Sequence, residues 1–196
     1  MVCAQKNCVY ALIGLIVCLQ SFAAFGKDHN GTTAENAVNM EVVYKDKFQW
    51  NEHKKLSWED FKGDINAARD ESAAATYCGI GFKTNNTASG SKPEIIVYNT
   101  FYTKKSWVRA DAKIQSILDH EQGHFDLCEI YTRKLKDRIA KFDSNIPDMM
   151  KELMRIYTEV NNEYEARQQA YEKETIHGTN TTEQKRWSDM IVTELM

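Results

Sequence analysis

Residues 114–139 read IQSILDHEQGHFDLCEIYTRKLKDRI. Apolar side chains recur through this stretch at helical spacing and without proline, which predicts one long helix from about residue 106 to residue 142. Near the middle of this helix, His120, Glu121 and His124 form the spacing H-E-x-x-H. We therefore expect the other elements of the fold to pack around a helix that also carries the chemistry.

The H-E-x-x-H spacing suits a catalytic zinc ion. Four residues turn a helix by ~400°, so His120 and His124 point to the same side, one turn apart, as two ligands of one ion must. Glu121 lies ~100° round the helix, where it can act on a water held by the metal without binding the metal itself. Zinc lowers the pKa of such a water toward ~7, and a carboxylate can then take its proton. The alternative is a chance string on an amphipathic helix, in a chain with only five histidines.

A third ligand must come from outside the motif, because a catalytic zinc site normally has three protein ligands and an open fourth position. The acidic neighbours Asp126 and Glu129 point well away from the two histidines around the helix. The best donor is QQAYEKETIHG, residues 168–178. Within it, Glu174 would complete a set of two histidines and a glutamate, and His177 would complete a set of three histidines. The residues alone leave both possibilities open.

The remaining sequence predicts a small sheet and further helices. EIIVYNTFY (94–102) is the strongest strand pattern, and ATYCGIGFK (75–83) is its expected hairpin partner. LSWEDFKG (56–63) should form one or two helical turns with Ser57 as N-cap. A second long helix should run from Pro147 to His177 and Gly178, and a last one should begin at Thr181 or Thr182. These patterns predict an α+β fold.

The first residues have the layout of a secretory signal peptide. Lys6 is the only charge in residues 1–26, an apolar run from Val9 to Leu19 follows it, and small residues come next. We expect residues 1–26 to be a signal peptide, residues 27–40 a flexible leader, and residues 41–196 a single metallohydrolase domain. The mature chain should be secreted or periplasmic, without stable insertion in a membrane.

Cysteine and charge usage narrow the remaining possibilities. Three of the five cysteines lie in the signal peptide, and Cys78 and Cys128 could form a disulfide or remain two free thiols. The formal net charge is −3, and there is no basic block, so a nucleic-acid partner is not indicated. The expected partner is a peptide or protein substrate, bound by a monomer.

Several motifs together resemble a bacterial domain-of-unknown-function family described as predicted secreted zinc-dependent proteases. The resemblance covers most of the mature chain and is carried by these stretches: LSWEDFKG (56–63), KKSWV (104–108), HEQGHFDLCEIYTRKL (120–135) and the pattern Y-x-x-x-T-x-H-G at Tyr171, Thr175, His177 and Gly178, with Gln184 beyond. Glu172 follows Tyr171, where the family commonly has aspartate.

The resemblance implies a zincin-like fold, a small antiparallel sheet packed on the long H-E-x-x-H helix and a long backing helix. It implies Zn²⁺ as the cofactor, with His120 and His124 as ligands and His177 as the third. It also implies Glu121 as the catalytic carboxylate.

The resulting functional hypothesis is a secreted zinc metallohydrolase, a peptidase in which Glu121 acts as general base. Tyr102, Tyr131 and Tyr171 are candidates for stabilising the oxyanion, with Tyr171 kept as the catalytic choice. The alternative is a secreted binding protein whose zinc is structural or whose inherited site is inactive. A protein side chain in the fourth coordination position, or a Glu121 turned away from the metal, would favour that alternative.

Overall fold

The computed structural model describes residues 46–65, 72–85, 93–142 and 148–196. The predicted signal peptide (1–26), leader (27–40) and helix start at Pro147 lie outside these residues. In the part of the chain that is described, no helix combines the length and the hydropathy needed to cross a membrane.

Among the described residues, five strands form two small antiparallel sheets. The strands are β1 (Lys47–Phe48), β2 (Ala74–Ala75), β3 (Cys78–Asn85), β4 (Glu94–Tyr102) and β5 (Trp107–Val108). The larger sheet has the order β1-β4-β3, and the smaller one pairs β2 with β5. β4 has the predicted bounds, and its register with β3 runs from Cys78 opposite Phe101 to Asn85 opposite Glu94. The predicted pairing is therefore confirmed, but β3 begins at Cys78 and not at Ala75, which belongs to β2. β-branched and aromatic residues form β4, the central strand of the larger sheet.

The H-E-x-x-H helix is shorter at its start than predicted. Helix α1 spans Gln115–Ala140 and is preceded by β5 and by a 3-10 turn at Ala110–Ala112. The prediction of helix from residue 106 was wrong because Trp107 and Val108 pair with β2, and Trp107 is buried there. The backbone N–H of Arg109 also donates to the carbonyl of Ala73, 2.9 Å away, which extends the β-pairing.

Two further helices pack against α1. Helix α2 spans Met149–Thr175 and helix α3 spans Thr181–Leu195. The ion pairs of Arg138 with Glu159 and Glu163, and of His120 with Glu172, show that α1 and α2 run antiparallel. The predicted start of α3 is confirmed, and the side chain of Asn180 caps it by accepting from the backbone N–H of Glu183.

Helix α1 separates two apolar clusters. On the sheet side, Phe101, Phe125, Leu135 and Val160 are among the buried residues of the larger cluster. The smaller cluster consists of four buried residues: Leu127, Tyr171, Trp187 and Ile191. Burying a side chain of this size stabilises a fold by ~1.5–3 kcal/mol, so both clusters hold α1 in place. The result is the predicted α+β architecture, a small antiparallel sheet packed on a long H-E-x-x-H helix and a long backing helix.

The segment before β2 is anchored to α1. Ser57 is the N-cap of a 3-10 helix at Trp58–Asp60, as predicted, and forms a capping box with Asp60. The backbone N–H of Leu56 donates to Gln122 Oε1 over 2.7 Å. Cys78 and Cys128 are both free thiols.

Candidate metal centre

The two motif histidines face helix α2, one turn apart, as the helix geometry predicted. His120 is buried and His124 is half-buried. Their Nε2 atoms lie 3.1 Å apart. The aromatic ring of Tyr171 packs against both, stacked on His120 at a centroid distance of 4.8 Å and edge-on to His124 at 4.9 Å. The tyrosine ring thereby fixes the direction in which both imidazoles point.

Helix α2 supplies a carboxylate to this pair. Glu172 Oε2 lies 3.0 Å from His120 Nε2 and 3.2 Å from His124 Nε2. One ligand atom from each of the three residues lies within 4.8 Å of the others. Within the described ranges, no fourth histidine, cysteine, aspartate or glutamate joins this group. The arrangement is a three-sided site of two imidazoles and one carboxylate.

The electrostatics of the three groups favour a cation between them. Burial lowers the pKa of His124, but the hydrogen bond to Glu172 and the negative charges of Glu121 and Glu172 raise it to about 9. Burial raises the pKa of the Glu172 carboxyl, and hydrogen bonds from the two imidazoles outweigh burial and hold this pKa well below its usual range. Glu172 therefore stays charged and favours the protonated form of His124. A metal ion would compete for the same position, because metal ligands must release their protons.

Glu121 is buried beside the centre, and one of its carboxylate oxygens has no hydrogen-bond partner among the described residues. Only 4% of the residue is exposed, and the oxygen without a partner is Oε2. Its backbone carbonyl accepts from the hydroxyl of Thr76, 3.2 Å away. The charge of Glu121 is close enough to help raise the pKa of His124. A buried carboxylate oxygen without a partner is costly unless a ligand or water completes it.

The two downstream residues proposed as third ligands occupy other positions. The His177 ring bonds through Nδ1 to Glu172 Oε1, the oxygen that faces away from the histidine pair, and 57% of the His177 side chain is exposed. Glu174 accepts from Trp187 Nε1 over 2.8 Å and pairs with Arg186 on α3. The structure thus brings Glu172 between the motif histidines, puts His177 behind Glu172, and directs Glu174 to the opposite edge of α2.

The position of His177 follows from an abrupt end to helix α2. Ile176, His177 and Gly178 all have positive φ, at 51°, 54° and 77°. A non-glycine residue in this region costs ~1–2 kcal/mol, so the surrounding contacts must hold the turn. An added Cβ at Gly178 would come within 2.9 Å of His120 Cβ, which shows how closely the turn packs on the centre.

Tyr171 has a packing role in this arrangement. It is fully buried, and its hydroxyl donates to the carbonyl of His120 over 3.0 Å. Gly123 leaves room for it, because a Cβ there would lie 2.3 Å from the hydroxyl oxygen. Glycine at position 123 therefore permits the close approach of Tyr171 to the backbone of α1. Of the other candidate tyrosines, Tyr131 packs against Tyr164, and Tyr102 is the last residue of β4 and pairs with Lys47 of β1.

The acidic neighbours of the motif serve the scaffold, as their helical phase predicted. Asp126 accepts from Trp50 Nε1 at 2.6 Å and from Gln122 Nε2 at 2.7 Å. Glu129 forms an ion pair with Arg133 at 2.8 Å. Both carboxylates point away from the histidine pair.

Sequence reasoning missed Glu172 as a member of the cluster. The available signal was the acidic residue that follows the tyrosine in the family pattern, together with the run Gln168, Tyr171 and Thr175, which is buried on the same helix. The spacing of residues within α2 did not indicate whether Glu172 or Glu174 would face the two histidines.

One of the comparisons with known proteins gives a match. No curated protein and no solved structure matches the chain. A family model does match, over a segment that contains His120, Glu121, His124 and Glu172. Over residues 82–178, the chain matches the family described as bacterial protein of unknown function (DUF922).

Proposed function

We propose that this chain is a secreted zinc-dependent metallohydrolase that cleaves peptide or amide bonds. The observation that carries the proposal is the convergence of His120 Nε2, His124 Nε2 and Glu172 Oε2 beside the unpartnered Glu121 Oε2. Secretion is supported by the signal-peptide pattern of residues 1–26.

The donor set fits zinc. Two imidazole nitrogens and one carboxylate oxygen are a usual ligand set of catalytic zinc, whereas structural zinc sites are closed by four protein ligands. The cluster has three members in the described part of the chain, so a coordination position would remain for water or substrate. When bound, zinc supplies a Lewis acid that polarises a carbonyl and makes water a nucleophile near neutral pH.

Glu121 is the group best placed to move the proton. Its Oε2 would accept a proton from the water that attacks the substrate carbonyl, and would return that proton to the departing nitrogen. Glu121 Oε2 can accept this proton because it has no hydrogen-bond partner among the described residues. The Thr76 hydroxyl bonds to the backbone carbonyl of Glu121 and not to its side chain. Burial beside His124 keeps bulk water from competing for the same proton. Tyr171 has no role in this proposal beyond holding the two imidazoles.

Glu121→Gln tests the catalytic role, with zinc content measured by metal analysis and turnover measured on a peptide library. Zinc should be retained while turnover falls by about 10²- to 10⁴-fold, the usual contribution of a general base. Wild-type turnover in Glu121→Gln would remove the basis for hydrolysis at this site. A zinc-loaded wild-type chain that turns over no peptide or amide would favour the alternative of a binding protein.

A second set of variants tests the ligand assignment. Glu172→Gln should lower zinc affinity strongly, measured by competition with a chelator. Glu174→Gln is the matched control, because it changes the same chemical group two residues away, where the carboxylate bonds to Trp187. His177→Ala should weaken zinc binding less than Glu172→Gln, since the His177 ring bonds to the outer oxygen of Glu172 and not to the oxygen that faces the two histidines. If His177→Ala abolished zinc binding and Glu172→Gln kept it, the third ligand would be His177.

A further inference from the structure

Two glutamines outside the H-E-x-x-H motif contact the Nδ1 atoms of the two candidate ligand imidazoles, whose Nε2 atoms face Glu172. Gln168 Oε1 lies 2.6 Å from His124 Nδ1, and Gln184 Oε1 lies 3.0 Å from His120 Nδ1. Gln168 belongs to α2 and Gln184 to α3, so each histidine is met by a different helix. Which ring nitrogen carries the hydrogen depends on which way each amide points.

The orientation of the Gln168 amide is fixed by a backbone carbonyl. Its Nε2 atom donates to the carbonyl of His124 over 2.9 Å and to the hydroxyl of Tyr164 over 3.0 Å. A carbonyl oxygen can only accept, so the reversed amide would set two oxygens against each other. The oxygen of Gln168 therefore faces His124 Nδ1, and that nitrogen must carry the hydrogen.

The orientation of the Gln184 amide is fixed through Tyr171. The Tyr171 hydroxyl has one proton, and the His120 carbonyl at 3.0 Å is a nearer acceptor for it than Gln184 Oε1 at 3.3 Å. The hydroxyl oxygen then accepts from Gln184 Nε2 at 2.8 Å. Ser188 gives its own proton to the carbonyl of Gln184 and can accept from the same Nε2 atom, 3.3 Å away. The oxygen of Gln184 is left to face His120 Nδ1, which again must carry the hydrogen.

Both imidazoles, when neutral, are therefore held with hydrogen on Nδ1 and a lone pair on Nε2, the atom that faces Glu172. We propose that Gln168 and Gln184 are positioning residues that fix this tautomer and ring orientation for metal binding. The inference rests on the proposed metal site and adds the groups that prepare it. Partners of this kind are often carboxylates, which raise ligand basicity. Neutral amides orient the rings while adding less electron density, which leaves a bound metal the stronger Lewis acid.

Methionine substitutions test the proposal, because methionine has a length similar to glutamine without the amide. Gln168→Met and Gln184→Met should each lower zinc affinity by about 10- to 100-fold, the usual effect of losing an outer partner. Gln115→Met is the matched control, because Gln115 is exposed and its side chain bonds, among the described residues, only to Asp119 on the same helix. Zinc affinity should be unchanged in that variant.

Proton NMR of the zinc-loaded chains separates positioning from general damage to the fold. The wild-type chain should show two slowly exchanging ring Nδ1–H signals. Gln168→Met should lose or shift the His124 signal alone, and Gln184→Met the His120 signal alone. Wild-type affinity and unchanged signals in both variants would overturn the inference while leaving the proposed function intact. A wild-type chain that binds no zinc would overturn the proposed function and the inference together, so the two failures are distinguishable.

Discussion

Replacing Gly123 by alanine should damage the candidate metal centre without touching any of its ligands. A Cβ at this position would lie 2.3 Å from the hydroxyl oxygen of Tyr171 and 2.7 Å from its Cζ atom. Tyr171 is fully buried, stacks on His120 and donates to the His120 carbonyl, so it has no free space to move into. A displaced Tyr171 ring would therefore shift the His120 imidazole on which it stacks.

The size of the effect follows from three contributions. Alanine in place of glycine inside a helix is favourable by ~1 kcal/mol. Overpacking a close-packed site costs ~1–3 kcal/mol, and displacing the tyrosine hydroxyl weakens two hydrogen bonds worth ~1 kcal/mol each. The balance predicts that the free energy of unfolding falls by about 2–4 kcal/mol. Zinc affinity should fall as well, because the ring against which His120 stacks must shift.

Urea unfolding and chelator competition measure the two effects. Gly79→Ala is the control, because nothing lies within 4 Å of the Cβ it would add, and alanine in place of this strand glycine should raise the free energy of unfolding by ~0.5–1 kcal/mol. Adding Tyr171→Phe to Gly123→Ala should restore part of the lost stability, since it removes the closest atom while Cζ remains. If Gly123→Ala unfolds at the wild-type urea concentration and binds zinc as tightly, the close contact does not constrain the centre.

Two more predictions concern the metal and the scaffold. Free zinc at 100- to 1,000-fold its dissociation constant should raise the free energy of unfolding by ~2.7–4.1 kcal/mol, and a chelator that removes the zinc should abolish this gain. Unfolding curves that coincide with and without zinc would contradict a metal site in the folded state. Asp126→Ala should lower the free energy of unfolding by ~2–3 kcal/mol, because it leaves the donors of Trp50 and Gln122 without their acceptor. Zinc stoichiometry should not change in Asp126→Ala, and a drop would show that Asp126 acts at the centre.

The elements that the sequence predicted best are those whose signal is local. The strand at residues 94–102 has the predicted bounds, because β-branched and aromatic residues fill it. The start of α3 follows from a capping residue next to a helical pattern. The start of α1 was misplaced because the β-pairing of Trp107 depends on Ala75, more than thirty residues earlier in the chain. No pattern local to residues 106–114 contains that partner.

The histidines of the centre were predictable for the same reason, and the third group was not. His120 and His124 lie on one helix, whose geometry fixes their relative direction. Glu172 and Glu174 are ~200° apart around α2, and they lie on opposite edges of its buried face. Only the packing of α2 against α1 and α3 decides which edge faces the histidines. The prediction for His177 assumed that the helix continues through it, whereas α2 ends at Thr175 and the left-handed turn sends the ring back toward Glu172.

Helix α3 lies beyond the segment that the family model matches. The matched segment ends at residue 178, whereas α3 begins at Thr181. A fragment cut at the end of the match would lose Trp187, which covers Tyr171, and would lose the Gln184 contact to His120. The end of the matched segment is therefore not the end of the folding unit, and we expect a stable fragment of this protein to need the whole of α3.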